Sequence, residues 1–365
     1  MGASQTLLRN WYTPQRTWPA RLLSPLSLIF GIAVSLRASL YRRGLIRSFT
    51  LPVPVIVVGN ITVGGTGKTP FVIALAQALS GRGFRPGIIS RGYGGVASAR
   101  GEVVCVNADS DVREVGDEAA LIARAGVPMA VGRDRVAAGQ ALLTTHSDID
   151  VLISDDGLQH YRLARTLEIA LLDSDRQLGN RMLLPAGPLR EPPRRLARVN
   201  AIVFTSANDE SERTPAFCDR LNIPVFRQTL KAEAWRKVRN EAGKAALDER
   251  REVDFFAKEE GVHAIAGIGH PERFFTMLQR FGIRAAAHAF ADHHHFSAED
   301  LALPAARWIL MTEKDAVKCA ALADARCWYL PVTGSIAPAL MRLIEETLRG
   351  GDWQATATRN SGEVP

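Results

Sequence analysis

Between Leu51 and Leu79 a handful of residues carry the spacing of one kind of chemistry: Thr62, Val63, Gly64, Gly65, Thr66, Gly67, Lys68 and Thr69. Such glycines let successive backbone N–H groups close around phosphate oxygens, and a following helix adds the partial positive charge of its N-terminus. Lys68 supplies a point charge, the Thr69 hydroxyl can hold Mg²⁺, and Pro70 suits a first helical turn that needs no N–H. The run departs from the GxxxxGK[ST] pattern because Thr62 stands where the first glycine belongs. Context restores the reading. The mostly β-branched run Val53–Val58 predicts a buried strand before the loop, and an apolar helical pattern follows it to Gly81. Nucleotide binding is therefore the expectation, against a Gly-rich turn that merely contains Lys and Thr.

A Mg²⁺-nucleotide site needs a second acidic element, and Ile149–Ile153 followed by Ser154, Asp155, Asp156, Gly157, Leu158, Gln159 and His160 provides one. A parallel sheet delivers strand C-termini to the edge that carries the phosphate loop, so Asp155 or Asp156 is expected to address the metal. The bland alternative is an ordinary Asp-Asp-Gly turn. His160 is placed to touch nucleotide or metal-bound water. Asp117 and Glu118 open a helical run to Gly126 and could equally be dipole-matching residues. Further on, Asp292, His293, His294 and His295 sit at a strand end, and Thr312, Glu313, Lys314 and Asp315 follow another strand. Adjacent histidines cannot readily chelate one ion, so an Asp–His pair that orients or exchanges a proton is preferred to zinc. Thr312–Asp315 also reads as a capped helix start. The loop from Gly179 to Pro192 is too rich in Pro and Gly for helix or strand, and with Arg190, Arg194, Arg195 and Arg198 it is either an anion-holding loop or a solvated face.

These residues need a strand–helix alternation to bring them together. Strands are predicted at Arg85–Ser90, Val103–Val106, Met129–Gly132, Leu167–Leu172 and Ala201–Thr205, the last closing the first sheet. After a polar stretch, Asn208–Arg213, the extended pattern resumes at Pro224, and β/α alternation without a second phosphate loop runs from Val262 to Leu348. The expected fold class is α/β: a P-loop NTPase-like domain with a mostly parallel sheet, plus a second, smaller α/β domain. The expected divisions are an N-terminal membrane-associating segment at 1–48, the P-loop domain at 49–225, the smaller domain at 226–349 and a disordered tail at 350–365.

At 365 residues, 47% hydrophobic and 23% charged, the chain is an ordinary globular protein of about two domains. A formal charge of +7 points to an acidic partner, and four scattered cysteines without CxxC indicate neither zinc nor a disulfide framework. Near the N-terminus, Leu22–Leu36 is largely apolar and is followed by Arg37, Arg42, Arg43 and Arg47. Fifteen residues with Pro25 and three serines are too short for a full span. Read as a helix, Leu22, Leu26, Ile29, Phe30, Ala33, Leu36 and Leu40 share a stripe, which suits a helix lying in a membrane surface. A signal peptide lacks its cleavage site here, and a core helix is the remaining alternative.

Taken in order, VGNITVGGTGKTP, SRGYGG, VGDE, SDDGLQH, LLPAGPLREP, GIGHPERFF, ADHHHF and TEKDAVK resemble the tetraacyldisaccharide 4'-kinase family, over roughly residues 15–348. The resemblance implies a P-loop kinase on the cytoplasmic face of the inner membrane, moving the ATP γ-phosphate to the 4'-hydroxyl of a tetraacyl disaccharide 1-phosphate to give lipid IVA. It implies ATP and Mg²⁺ as cofactors, a lipid disaccharide substrate, no nucleic acid and no obligate protein partner. By resemblance the base role falls to Asp117 with His293 as its partner, the metal role to Thr69, Asp155 and Asp156, a place beside the phosphates to His160, and a substrate contact to Arg190. A membrane-surface switch ATPase is the competing reading, but it wants a signature lysine where Val63 stands. A nucleic-acid-binding NTPase wants aromatics among its basic residues, and Arg190–Arg198 has none.

Overall fold

The computed structural model describes residues 10–13, 17–206, 214–238 and 249–350. The strands are β1 (Val55–Gly59), β2 (Pro86–Ser90), β3 (Val104–Val106), β4 (Met129–Val131), β5 (Val151–Asp155), β6 (Leu167–Asp173), β7 (Ala201–Ser206) and β8 (Val225–Ala232). They continue with β9 (Trp235–Lys237), β10 (Arg250–Arg251), β11 (Val262–Ala266), β12 (Ala286–Ala289), β13 (Trp308–Thr312), β14 (Cys327–Leu330) and β15 (Val332–Gly334). Nine of them form one sheet in the order β15-β8-β7-β6-β1-β5-β2-β4-β3, and six form a second in the order β10-β9-β14-β13-β11-β12.

Around β1 the first sheet is parallel: Val58 pairs with Asp155 on one side and with Ile169 on the other. Every residue of β1, β5 and β6 is buried, as it must be where helices cover both faces of a parallel sheet. One face packs on the phosphate-loop helix Lys68–Ser80 through Phe71, Val72, Leu75 and Leu79. The other face packs Val57, Ile89 and Leu152 against Val136 and Leu142 of the helix Arg135–Thr145. At roughly 25 cal/mol per Å² of apolar area, such two-sided burial is the main force holding the strand ends in register.

The sheet does not end at β7, contrary to the sequence expectation. β8 continues it in parallel, Ile202 pairing with Val225, and β15 adds an antiparallel edge. A strand thus begins at the division expected at 225, and the chain crosses to the second sheet only after Ala232. It crosses back between β14 and β15, where the Glu233 amide donates to the Pro331 carbonyl at 3.0 Å, so two neighbouring segments link the sheets. The last helix, Pro338–Arg349, returns to the first sheet, burying Leu340, Met341 and Ile344 beside Phe71 and Leu75. The polar stretch at 208–213 and the tail beyond Gly350 lie outside the described residues.

The helix Ser24–Arg42 runs 19 residues, beyond the fifteen of Leu22–Leu36 expected to fall short of a span, because it continues through Arg37 to Arg42; by length and composition alone it could cross a membrane. Only Ser27 of it is buried; Leu22 just ahead of it and Leu26, Leu28, Ile29, Ile32 and Leu36 within it are exposed by more than half. Its protein-facing side is small or polar instead: Ser27 Oγ donates to Leu183 O at 2.7 Å, and a side chain at Gly31 would meet Leu183 Cδ1 at 2.7 Å. A core helix would bury the opposite side, so that alternative is set aside.

Candidate active site

The phosphate loop leaves β1, the strand between β5 and β6, so Asp155 at the end of β5 and Asp173 at the end of β6 flank it. Gly67 takes the left-handed conformation at φ +75°, and a Cβ there would lie 2.6 Å from Thr205 Cγ2, so glycine is required. The missing first glycine has an explanation too. Thr62 is buried and bridges antiparallel to Leu189, and the Val63 amide donates to Pro188 O at 2.8 Å. The first half of the loop is thus held in place by the Pro-rich segment rather than by its own turn. Asn60 Nδ2 completes the brace by donating to Thr66 Oγ1 at 3.2 Å.

Lys68 Nζ stands 3.7 Å from Asp156 Oδ1, and Arg190 Nη1 donates to both oxygens of Asp156, at 2.8 and 3.1 Å. Burial would raise the Asp156 pKa, but Lys68 and Arg190 outweigh it and hold the carboxylate well below its usual range. Asp155 is different. Burial, with the charges of Glu118 and Asp156, pushes its carboxyl up to about 7 against the opposing pull of Lys68 and a hydrogen bond from Ser90. Ser90 Oγ donates to its Oδ2 at 3.1 Å, while Oδ1 is buried without a hydrogen-bond partner. An orphaned acidic oxygen at the strand end beside the phosphate loop is a donor that a hard cation fits. Mg²⁺ asks for only one or two protein carboxylates beside phosphates, which Asp155 and Asp156 can supply.

Asp117 lies at the first position of the helix Asp117–Ala123 and is buried. The second sheet supplies its partners. His293 Nδ1 is 3.1 and 3.2 Å from the two carboxylate oxygens, and Lys314 Nζ is 3.7 Å from Oδ2. Burial works to raise this carboxyl, but the His293 hydrogen bond and the Lys314 charge bring it down to about 2. Lys314 also reaches Glu118 at 3.1 Å and Asp292 at 3.6 Å. Burial lowers its pKa, yet Glu118, Asp117 and Asp292 together raise it above the usual lysine value. Tyr93, from the loop after β2, packs on the His293 ring with centroids 4.8 Å apart. A Cβ on Gly116 would lie 2.4 Å from Tyr93 O, so that loop can approach Asp117 only because position 116 is glycine at φ +90°.

His160 does not join these groups. Its Nε2 accepts from the Arg135 amide at 3.4 Å, and burial beside Arg135 lowers its pKa to about 4, so the ring is neutral near pH 7. Arg195 is buried and paired with Glu168 and Glu191, whereas Arg194 is exposed and donates to Ser35 Oγ at 2.9 Å. The basic loop thus divides into a structural half and a surface half. A cleft of about 600 Å³ lined by Ala38, Arg42, Tyr161, Arg194 and Arg198 opens between it and the apolar helix. Sequence reasoning weighed Thr312–Asp315 as a chemistry-bearing segment against a capped helix start, and Thr312 Oγ1 does accept from the Asp315 amide at 3.2 Å. It missed that Lys314, one residue earlier, points at Asp117, and it missed Ser90 and Tyr93; only the Tyr93 motif carried a signal, as the one aromatic in SRGYGG.

Comparison with known proteins covers nearly the whole chain. A profile of the tetraacyldisaccharide-1-P 4'-kinase family matches residues 19–349. A tetraacyldisaccharide 4'-kinase of Azoarcus sp. (strain BH72) is 50% identical over 351 residues, 96% of this chain and 97% of that protein. One from Shewanella loihica is 49% identical over 337 residues, 90% and 92% of the two chains. Among solved structures, LpxK from Aquifex aeolicus in complex with ATP superposes with a TM-score of 0.74 at 30% identity, covering 90% of this chain and 99% of that one.

Proposed function

This chain belongs to the tetraacyldisaccharide-1-P 4'-kinase family, and from that premise we propose how its residues divide the transfer of a phosphoryl group to a lipid. The protein is an ATP-dependent 4'-kinase of lipid A biosynthesis, and the switch-ATPase alternative is not favoured. Phosphoryl transfer asks for positioning and charge neutralisation more than for covalent help. Residues 62–69 hold the ATP phosphates, with Lys68 on the terminal pair. Thr69, Asp155 and Asp156 would hold Mg²⁺, which when bound neutralises phosphate charge. Asp117 accepts the proton of the 4'-hydroxyl as that oxygen bonds to the γ-phosphorus and the bond from the γ-phosphorus to the bridging oxygen breaks, releasing ADP. His293 and Lys314 keep Asp117 ionised and aimed. Arg190, gripping Asp156, is read first as a positioning residue and second as a substrate contact, while the neutral His160 adds no charge to the site.

The single observation that carries this division is the contact of Asp117 with His293 and Lys314, groups from two sheets that meet beside the phosphate loop. The exposed apolar face of Ser24–Arg42 supports a place on a membrane, and the arginines of the neighbouring cleft support an anionic lipid there. We read this as the cytoplasmic face of the inner membrane. The test is transfer of labelled γ-phosphate from Mg·ATP to a tetraacyl disaccharide 1-phosphate in detergent micelles. Label should enter the lipid with wild type and be lost with Lys68→Ala; unchanged transfer by Lys68→Ala would remove the phosphate loop from the mechanism.

A further inference from the structure

We propose that Tyr12 and Arg176 are positioning residues for the nucleotide, forming a strut that fixes the first half of the phosphate loop and ties it to the second sheet. The proposal rests on the reading that residues 62–69 take the nucleotide phosphates. Tyr12 lies ahead of the apolar helix and outside residues 19–349, the stretch the family profile matches. Its hydroxyl donates to Val63 O at 2.7 Å. With the Val63 amide already given to Pro188 O, both backbone groups of Val63 are held from outside the loop. The two peptide planes flanking Val63 are therefore each held by one hydrogen bond, and the plane that carries the Gly64 N–H is fixed through its carbonyl.

Arg176 completes the strut. Its guanidinium lies over the Tyr12 ring, 4.6 Å from the centroid, and Nη1 donates to Gly269 O in the loop after β11 at 3.1 Å. A Cβ at Gly64 would lie 3.8 Å from both Arg176 Nη1 and the Tyr12 hydroxyl, and one at Gly269 would lie 2.9 Å from the Gly65 amide nitrogen. Arg176 thus joins three segments remote in sequence: the N-terminal segment, the phosphate loop and the second sheet. Its own backbone is set by Asp173 at the end of β6, whose Oδ1 accepts the Arg176 amide at 2.9 Å and whose Oδ2 meets Arg273 at 3.3 Å. The N-terminal segment is seated as firmly. Trp11 is buried, its Nε1 donates to Pro185 O at 3.0 Å, and its carbonyl accepts from the Asn180 amide at 2.8 Å. Burial also raises the Tyr12 pKa, so the hydroxyl remains a donor at neutral pH.

The test uses the full chain in detergent, with ATP binding by calorimetry and steady-state kinetics for Tyr12→Phe, Arg176→Gln and the double variant. Tyr12→Phe keeps the ring and removes one donor, so Kd and KM for ATP should rise about 3- to 10-fold while KM for the lipid is unchanged. Arg176→Gln should raise them by roughly tenfold or more and lower kcat, and the double variant should be no worse than Arg176→Gln, because both act through one strut. Unchanged ATP affinity in Tyr12→Phe, a fall in Tm with ATP KM unchanged, or simple addition of the two penalties would each overturn the proposal. Lys68→Ala runs alongside. If it loses ATP while Tyr12→Phe keeps it, the strut alone fails; if Lys68→Ala binds ATP as wild type does, the reading of the loop fails with it.

Discussion

Asp117 meets a histidine and a lysine and is held ionised, with its pKa brought down to about 2. Asp155, more deeply buried, faces Glu118 and Asp156 against Lys68 and a single hydroxyl, and its carboxyl is pushed up to about 7. Desolvation acts to raise both, so it cannot by itself bring Asp117 down. The sign of the neighbouring charge decides, and with it the work each group can do. On the proposed reading the carboxylate held ionised by side chains is the proton acceptor for the hydroxyl, whereas the one with an orphaned oxygen and acidic neighbours suits a cation.

The largest expected effect tests Asp117. Asp117→Asn keeps the shape and removes the proposed base, and turnover should fall about 10²- to 10⁴-fold with ATP affinity near that of wild type. Equal loss of ATP affinity, measured by calorimetry, would make Asp117 a nucleotide ligand and erase the contrast. A smaller effect is expected from His293→Ala, about tenfold in kcat, with the acid limb of the pH–rate profile moving up because Asp117 loses the hydrogen bond that depresses its pKa. A profile that stays in place would show that His293 acts elsewhere.

The mildest effect concerns stability at Asp155. Burial and the neighbouring acids raise the Asp155 pKa from the ordinary carboxylate range to about 7, so the stability tied to its protonated form is full below about pH 4 and is lost as pH rises through about 7. Asp155→Asn keeps a neutral group at all pH values. Without nucleotide or metal, its Tm advantage over wild type should therefore widen from pH 5 to pH 8 in thermal scans. A constant difference would mean that Asp155 is ionised throughout, like Asp117.

Another contrast sharpens the first. The phosphate-loop helix Lys68–Ser80 and the helix Ser24–Arg42 are both rich in apolar residues, yet the first buries Phe71 and Leu75 while the second exposes Leu28 and Ile32. Periodicity recognised both as helices and could not tell which had a partner in the chain. The same limit explains the second sheet edge: β8 was legible as extended, but nothing local says that it pairs with β7 rather than with strands of the next unit. Register between strands depends on who the neighbour is, and that is not written in either strand alone.

By itself the sequence determined the strand-loop-helix that holds phosphate, the acidic strand end at Asp155 and Asp156, and most element positions, because each rests on residue types within a few positions of one another. It also set Asp117 and His293 apart as chemistry-bearing residues, though their pairing came only from family resemblance. The tertiary structure alone decided that Lys314 and Tyr93 converge on that pair, that Arg190 turns to Asp156, and that Tyr12 braces Val63 from 51 residues away. Those contacts join segments from different strand ends and both sheets. Charge and hydrogen bonding act over a few ångströms of space whatever the distance along the chain, so pKa values and partners follow the packing and not the local pattern.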